Sequence, residues 1–198
     1  MRPERHHDHP VVAATCHRLL TIFAIFATVF VLTRPAAAQD GPDMDALFAQ
    51  LARPEGEAWR IAESDILREW SKSGSASMDL LLKRGEQALD EGNTDIAIGH
   101  LTALTDHAPD FAAGWHLRAA ALATAGAFGP AVADLARTLQ LEPRHFAALT
   151  QLGVMLEEMG DRQGALKAYR ESLKIHPHQQ EAIDGVERLE RQEQGTEI

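Results

Sequence analysis

The chain has 198 residues and carries 19 lysines and arginines against 29 aspartates and glutamates, a formal net charge of −10 with histidines neutral. A surface this acidic repels phosphate backbones and anionic bilayers, which sets nucleic-acid binding aside and leaves partners with basic or apolar faces. One cysteine, Cys16, excludes a disulfide framework and a cysteine-ligated metal site.

The N-terminal stretch differs from the rest in composition. Arg2, Arg5 and Arg18 precede the apolar run LLTIFAIFATVFVLT (19–33), Arg34 and Pro35 break it, and Ala36, Ala37 and Ala38 follow. Basic start, apolar middle and small-residue end predict a secretory signal over residues 1–38, cut after Ala38. The alternative is an uncleaved membrane anchor, but the run has 15 residues. About 20 are needed to span a bilayer core. Cleavage would remove four of the 19 basic and two of the 29 acidic residues, leaving a net charge of −12 and no cysteine.

Next in order, MDALFAQLA (44–52) predicts a short helix presenting Leu47, Phe48 and Leu51, with Pro54 just beyond its end. EAWRIAESDILREW (57–70) follows with Trp59, Ala62, Ile66 and Trp70 along one face of a second helix. Together they predict a helical hairpin over 39–77, read as a degenerate fourth repeat packed on the copy that follows, and ending in the flexible joint SKSGSAS (71–77). Trp59 and Trp70 are open to two readings, as anchors for a partner or as packing against the segment that follows. Helical spacing favours packing.

From residue 78 the chain repeats itself. Gly92, Gly126 and Gly160 are 34 residues apart, and so are Ala97, Ala131 and Ala165. Leu101, Leu135 and Tyr169 share that period, as do Pro109, Pro143 and Pro177. Leu81, Trp115 and Leu149 are in register with them, together with Gly85, Ala119 and Gly153. Each copy thus predicts two helices: glycine turns the chain after the first, and proline stops the second. Gly85, Ala119 and Gly153 are expected to face Ala97, Ala131 and Ala165 at a close helix–helix approach. HQQEAIDGVERLERQEQ (178–194), with Ile183, Val186 and Leu189 amid charge, predicts a solvating terminal helix.

This pattern resembles the tetratricopeptide repeat (TPR), whose signature is a large apolar residue, a small one, alanine, an aromatic and proline. The resemblance covers residues 78–111, 112–145 and 146–179 as three consecutive copies, with 180–198 as cap and tail. It implies an all-α fold: a right-handed superhelix of three helix-turn-helix repeats with an N-terminal helical hairpin and a C-terminal capping helix. Arg84 and Arg118 depart from it, standing where the family usually has leucine. Their aliphatic stems are expected to pack while the charged heads reach water. Gly99 and His100 make the second helix of the first copy the weakest.

The resemblance also implies a concave groove lined by the first helix of each pair. Carried over by position, Asp79, Leu82, Glu86, Leu89 and Asp90 come from the first copy, His116 and Thr124 from the second, and Thr150, Val154 and Glu157 from the third. Such a groove would be apolar at its middle and acidic at its ends, fitted to a protein or peptide of basic or apolar character. The family's clamp for a C-terminal carboxylate needs lysine, arginine and asparagine where this chain has Leu82, Glu86, His116, Ala120, Thr150 and Val154, so it is expected to be absent.

No catalytic constellation is legible: there is no glycine-rich phosphate loop, nucleophile elbow or zinc-protease motif. His176-Pro177-His178 lacks a carboxylate or cysteine at ligand spacing, and Glu157, Glu158 and Asp161 read as solvation of a helix end. No enzyme activity, cofactor or metal is expected. The expectation is an exported, non-enzymatic scaffold or adaptor in the periplasm of a Gram-negative bacterium, serving cell-envelope assembly. The alternative is a membrane-anchored assembly factor that keeps residues 19–33.

Overall fold

The computed structural model describes residues 41–196, so the expected signal segment, its cleavage point and Cys16 lie outside the described residues. From Pro42 onward the chain forms one compact unit. The described residues form nine α-helices and no strand. They are α1 (Met44–Leu51), α2 (Ala58–Trp70), α3 (Ala76–Asp90), α4 (Thr94–His107), α5 (Ala112–Thr124), α6 (Phe128–Leu141), α7 (Phe146–Glu158), α8 (Arg162–Ile175) and α9 (Gln180–Thr196). The pairs α3–α4, α5–α6 and α7–α8 are the three copies of the 34-residue period, the first beginning two residues early at Ala76.

The repeated turn has one construction in all copies. Gly92, Gly126 and Gly160 take φ of 75°, 75° and 83°, a left-handed conformation that a side chain would resist. Each glycine N–H donates to the carbonyl three residues back, and the next N–H reaches five back: Asn93 to Ala88 at 2.7 Å, Ala127 to Leu122 at 2.8 Å, Asp161 to Leu156 at 2.8 Å. That is the Schellman arrangement, which satisfies carbonyls the helix end would otherwise leave bare. At the other end of each pair, Ala108, Glu142 and His176 cap the second helix with ψ of 67°, 89° and 86°. The following proline forbids them the helical conformation.

Between the helices of each pair the packing is close. A Cβ on Gly85 would sit 2.6 Å from Leu101, and one on Gly153 would sit 2.6 Å from the Tyr169 ring. The residues across the contact are therefore Leu101 and Tyr169, one turn beyond the alanines expected there. Ala97, Ala131 and Ala165 are nonetheless wholly buried. Gly185 of α9 approaches Tyr169 from its other side, so the ring lies between two glycines. Ala182, Val186 and Leu189 complete this cluster and seat α9 as the terminal cap, with Ile183 only half-buried.

Three expectations are corrected. The Arg118 head turns inward rather than out to water: its Nε and Nη2 donate to both carboxylate oxygens of Asp134 at 2.7 and 2.8 Å, its Nη1 donates to Thr105 Oγ1 at 2.7 Å, and the half-buried guanidinium lies over Trp115. Segment 71–77 is a tied turn, in which the Ser73 N–H and hydroxyl both donate to the Asp79 carboxylate. The hairpin α1–α2 does not pack on the first copy as a degenerate fourth repeat. It crosses to the junction of the second and third copies, where Phe48, Leu51, Ala62 and Ile66 enclose Phe146 beside Ala147 and Ile175.

Candidate functional site

The helical hairpin and the surface it covers form the most elaborate side-chain assembly in the described residues. Trp59 and Trp70 stand eleven residues apart on α2, three turns, so both indoles leave the same side of the helix. The Trp70 ring stacks on His145 with centroids 4.1 Å apart and planes 18° from parallel, and it meets Phe146 at 5.4 Å and Phe48 at 6.0 Å. Trp59 stacks on His178 at 4.6 Å and 9°, with His176 at 5.5 Å. His116 of α5 extends the row, 4.4 Å from His145.

Polar contacts fix the register. Arg144 Nη1 donates to Asp45 Oδ1 at 2.7 Å while its guanidinium lies 4.0 Å over Phe48. His178 Nε2 donates to the Arg53 carbonyl at 2.7 Å, and His176 Nε2 faces Glu63 Oε1 at 3.3 Å. His145 has a second duty: its Nδ1 accepts from the Ala148 N–H at 3.2 Å and so caps α7. Burial, assisted by the neighbouring His116, pushes the His145 imidazole down to about 2, and burial pushes His116 down to about 4. His176 is lowered by burial too, against the opposing pull of Glu63. All three are neutral at pH 7. Trp70 Nε1 and His176 Nδ1 are buried with no partner, an unusual pairing in one contact.

The residues expected to line a groove part company. Leu82, Glu86 and His116 border a cavity of about 300 Å³ whose other walls include Leu67, Trp70, Ala113, Leu117 and His145. Asp79 is held by Ser73 in the joint, and those hydrogen bonds lower its pKa. Leu82 is almost fully buried, and Leu89 packs against the same core. The Thr124 hydroxyl donates to its own helix at Ala120.

In the third copy, Thr150 is a buried residue rather than a groove wall, hydrogen-bonded to Ser172 and Gln179. Val154 packs between clusters. Glu157 is not a free acidic end: Arg188 of α9 donates twice to its carboxylate at 2.8 and 2.7 Å, and the Tyr169 hydroxyl donates at 3.1 Å. These bonds lower the pKa of Glu157. Exposed acidity survives at Glu86 and Asp90. Burial and the Asp90 charge raise the Glu86 pKa, against the opposing pull of Lys83.

Sequence reasoning missed His145, Arg144 and the joint role of His176 and His178. The available signal was their position: all four flank Pro143 and Pro177, the second-helix stops, where side chains of successive copies meet. Among the described residues no group of three or more histidines, cysteines and carboxylates is placed to hold a metal ion, and no helix is long and apolar enough to cross a membrane.

No family model matches the chain. A TPR repeat-containing protein of Rhizobium etli is 33% identical over 163 residues, which cover 81% of this chain and 79% of the relative. The chain belongs to the tetratricopeptide-repeat family. Solved TPR domains share the fold: the Sgt2 TPR domain of Aspergillus fumigatus at TM-score 0.59 and 23% identity covers 62% of this chain and 83% of its own. The first TPR of Spaghetti (RPAP3), solved bound to the HSP90 peptide SRMEEVD, gives TM-score 0.56 and 22% identity over 58% and 90%. Within this TPR protein Glu86 of α3 and His116 of α5 border the same cavity as Trp70 of the hairpin.

Proposed function

We propose that this TPR protein is a non-enzymatic adaptor that binds a protein or peptide of basic or apolar character on the face of α3 and α5. The observation that carries this reading is the cavity beside Trp70, apolar on most walls and bordered by Glu86. An apolar side chain fits the cavity, and a lysine or arginine next to it answers Glu86 and Asp90. An acidic C-terminal peptide of the SRMEEVD kind is disfavoured, since Leu82, Glu86, His116 and Thr150 stand at positions where a carboxylate clamp would need lysine, arginine or asparagine.

The chain's setting, in this reading, is the periplasm, with the partner in cell-envelope assembly. Support comes from the basic, apolar and small-residue order of residues 1–38. An uncleaved anchor at 19–33 would place the same adaptor on the membrane.

The test is crosslinking capture from envelope extract by residues 39–198, run beside Glu86→Lys/Asp90→Lys. Both positions are exposed, so the fold should survive the reversal. Leu82 and Thr150 are too buried to serve as probes. A defined set of proteins captured by the wild type and lost by the variant supports the adaptor reading. The same set from both chains overturns it.

A further inference from the structure

We infer that α2 is the resident ligand of a helix-binding site formed by the second and third copies, and that a partner's amphipathic helix with two aromatic anchors three turns apart displaces it. This inference rests on the adaptor reading and extends its site: the strip from His116 to His178 shares the cavity beside Trp70 with the Glu86 face but runs on along the second and third copies.

The occupant is read from the segment already seated there. On α2, Trp59, Glu63, Ile66 and Trp70 follow one another at helical spacing, and each meets its own receptor. Trp59 lies on His178, Glu63 faces His176, Ile66 joins the cluster around Phe146, and Trp70 lies on His145. A helix presenting aromatic, acidic, aliphatic and aromatic residues in that order satisfies the same receptors. Polar contacts flank these receptors: Arg144 pairs with Asp45 of α1, and His178 donates to the Arg53 carbonyl just before α2.

Several features make α2 displaceable rather than integral. It does not continue the stacking of the repeats, since its apolar face lies on Phe146, Ala147 and Ile175 rather than on the first copy. Its contact leaves Trp70 Nε1 and His176 Nδ1 without partners. A cavity of about 300 Å³ remains beside Trp70. A helix with a larger anchor at that point, or with a polar group able to reach His176 Nδ1, gains what α2 forgoes.

The experiment uses residues 39–198, which retain the compact unit, and a labelled synthetic peptide of residues 56–71 as the probe. Binding is measured by fluorescence anisotropy to the wild type and to Trp59→Ala/Trp70→Ala. The expected result is at least tenfold tighter binding to the variant, whose own hairpin competes less, and no binding of a peptide lacking both tryptophans. Equal affinity for the two chains overturns the proposal.

Hydrogen exchange on the same variant provides the second measurement. Protection lost from α1 and α2 while α3 to α8 keep theirs supports a displaceable ligand. Protection lost throughout the chain makes the hairpin part of the fold and overturns the proposal. Capture by the Glu86 face can fail while this binding persists, so the two readings fail separately.

Discussion

The indole of Trp70 stacks face to face on the imidazole of His145, although 75 residues of chain separate them. The same imidazole caps α7 through Nδ1, so one side chain joins the hairpin to the third copy and starts that copy's first helix. Anything that changes His145 should be felt on both sides.

Acid is the simplest such change. His145 and His116 have folded pKa values near 2 and 4, well below the ordinary histidine value near 6.5. The unfolded chain therefore takes up protons first as pH falls, and stability that is full above pH 6.5 is lost below it. By pH 5 the loss is on the order of 2 kcal/mol for each of the two, before any buffering of His176 by Glu63. The groups facing them are neutral Trp70 and Phe146, with Glu86 across the cavity, Arg144 paired to Asp45, and His178 beside His176. Thermal midpoints at pH 8 and pH 5 should differ markedly in the wild type. His145→Asn, which keeps a capping side chain, should start lower at pH 8 and fall less. A midpoint flat across this range would refute the assignment.

The Tyr169 ring lies between Gly153 and Gly185, each too close to it to carry a Cβ. Gly153→Ala would place a methyl 2.6 Å from the ring, and the ring has Gly185 behind it with no room to retreat. The expected cost is about 1–3 kcal/mol. Ala131→Leu should cost a similar amount, because Ala131 is wholly buried. Gly99→Ala is the contrast: a Cβ there meets nothing within 4 Å, and helix propensity favours alanine by about 1 kcal/mol. Urea midpoints should therefore move in opposite directions for the two glycines.

Arg118 replaces a family leucine and spends its charge on Asp134, whose side chain is only 7% exposed. Arg118→Leu alone restores the family residue yet leaves a buried carboxylate unpaired, which should cost about 3–5 kcal/mol. Arg118→Leu with Asp134→Leu removes both charges and should recover most of that loss. Denaturation of the four chains in a double-mutant cycle gives the coupling, and additive losses would show that the pair is not a unit.

At the terminal cap, Arg188 and Glu157 make a bidentate pair nearer to solvent. Arg188→Ala should cost no more than about 1 kcal/mol globally, since exposed pairs contribute little. Its effect should be local, seen as faster amide exchange in α9 than in α8.

The 34-residue period, read from sequence, determined the helix pairs, their glycine turns and their proline stops, and apolar residues amid charge over 178–194 determined the terminal helix, because these depend on residues within a few positions of one another. A φ of 75° at Gly126 or a stop before Pro143 needs no information from elsewhere in the chain. Helical spacing also determined the common face of Trp59, Ile66 and Trp70. What that face meets was decided only by tertiary structure. The His145, His176 and His178 receptors lie 75 to 119 residues from their tryptophans, and no periodicity links them. The same holds for Arg118, whose side chain could snorkel to water or turn inward until Asp134 and Thr105 met it. Thr150 and Glu157 sit at groove positions by register, yet Gln179 and Arg188 claim them, because a capping helix covers the last copy as it covers no other. Local geometry follows from local residues; the assignment of buried polar partners follows from which surfaces the folded chain brings together.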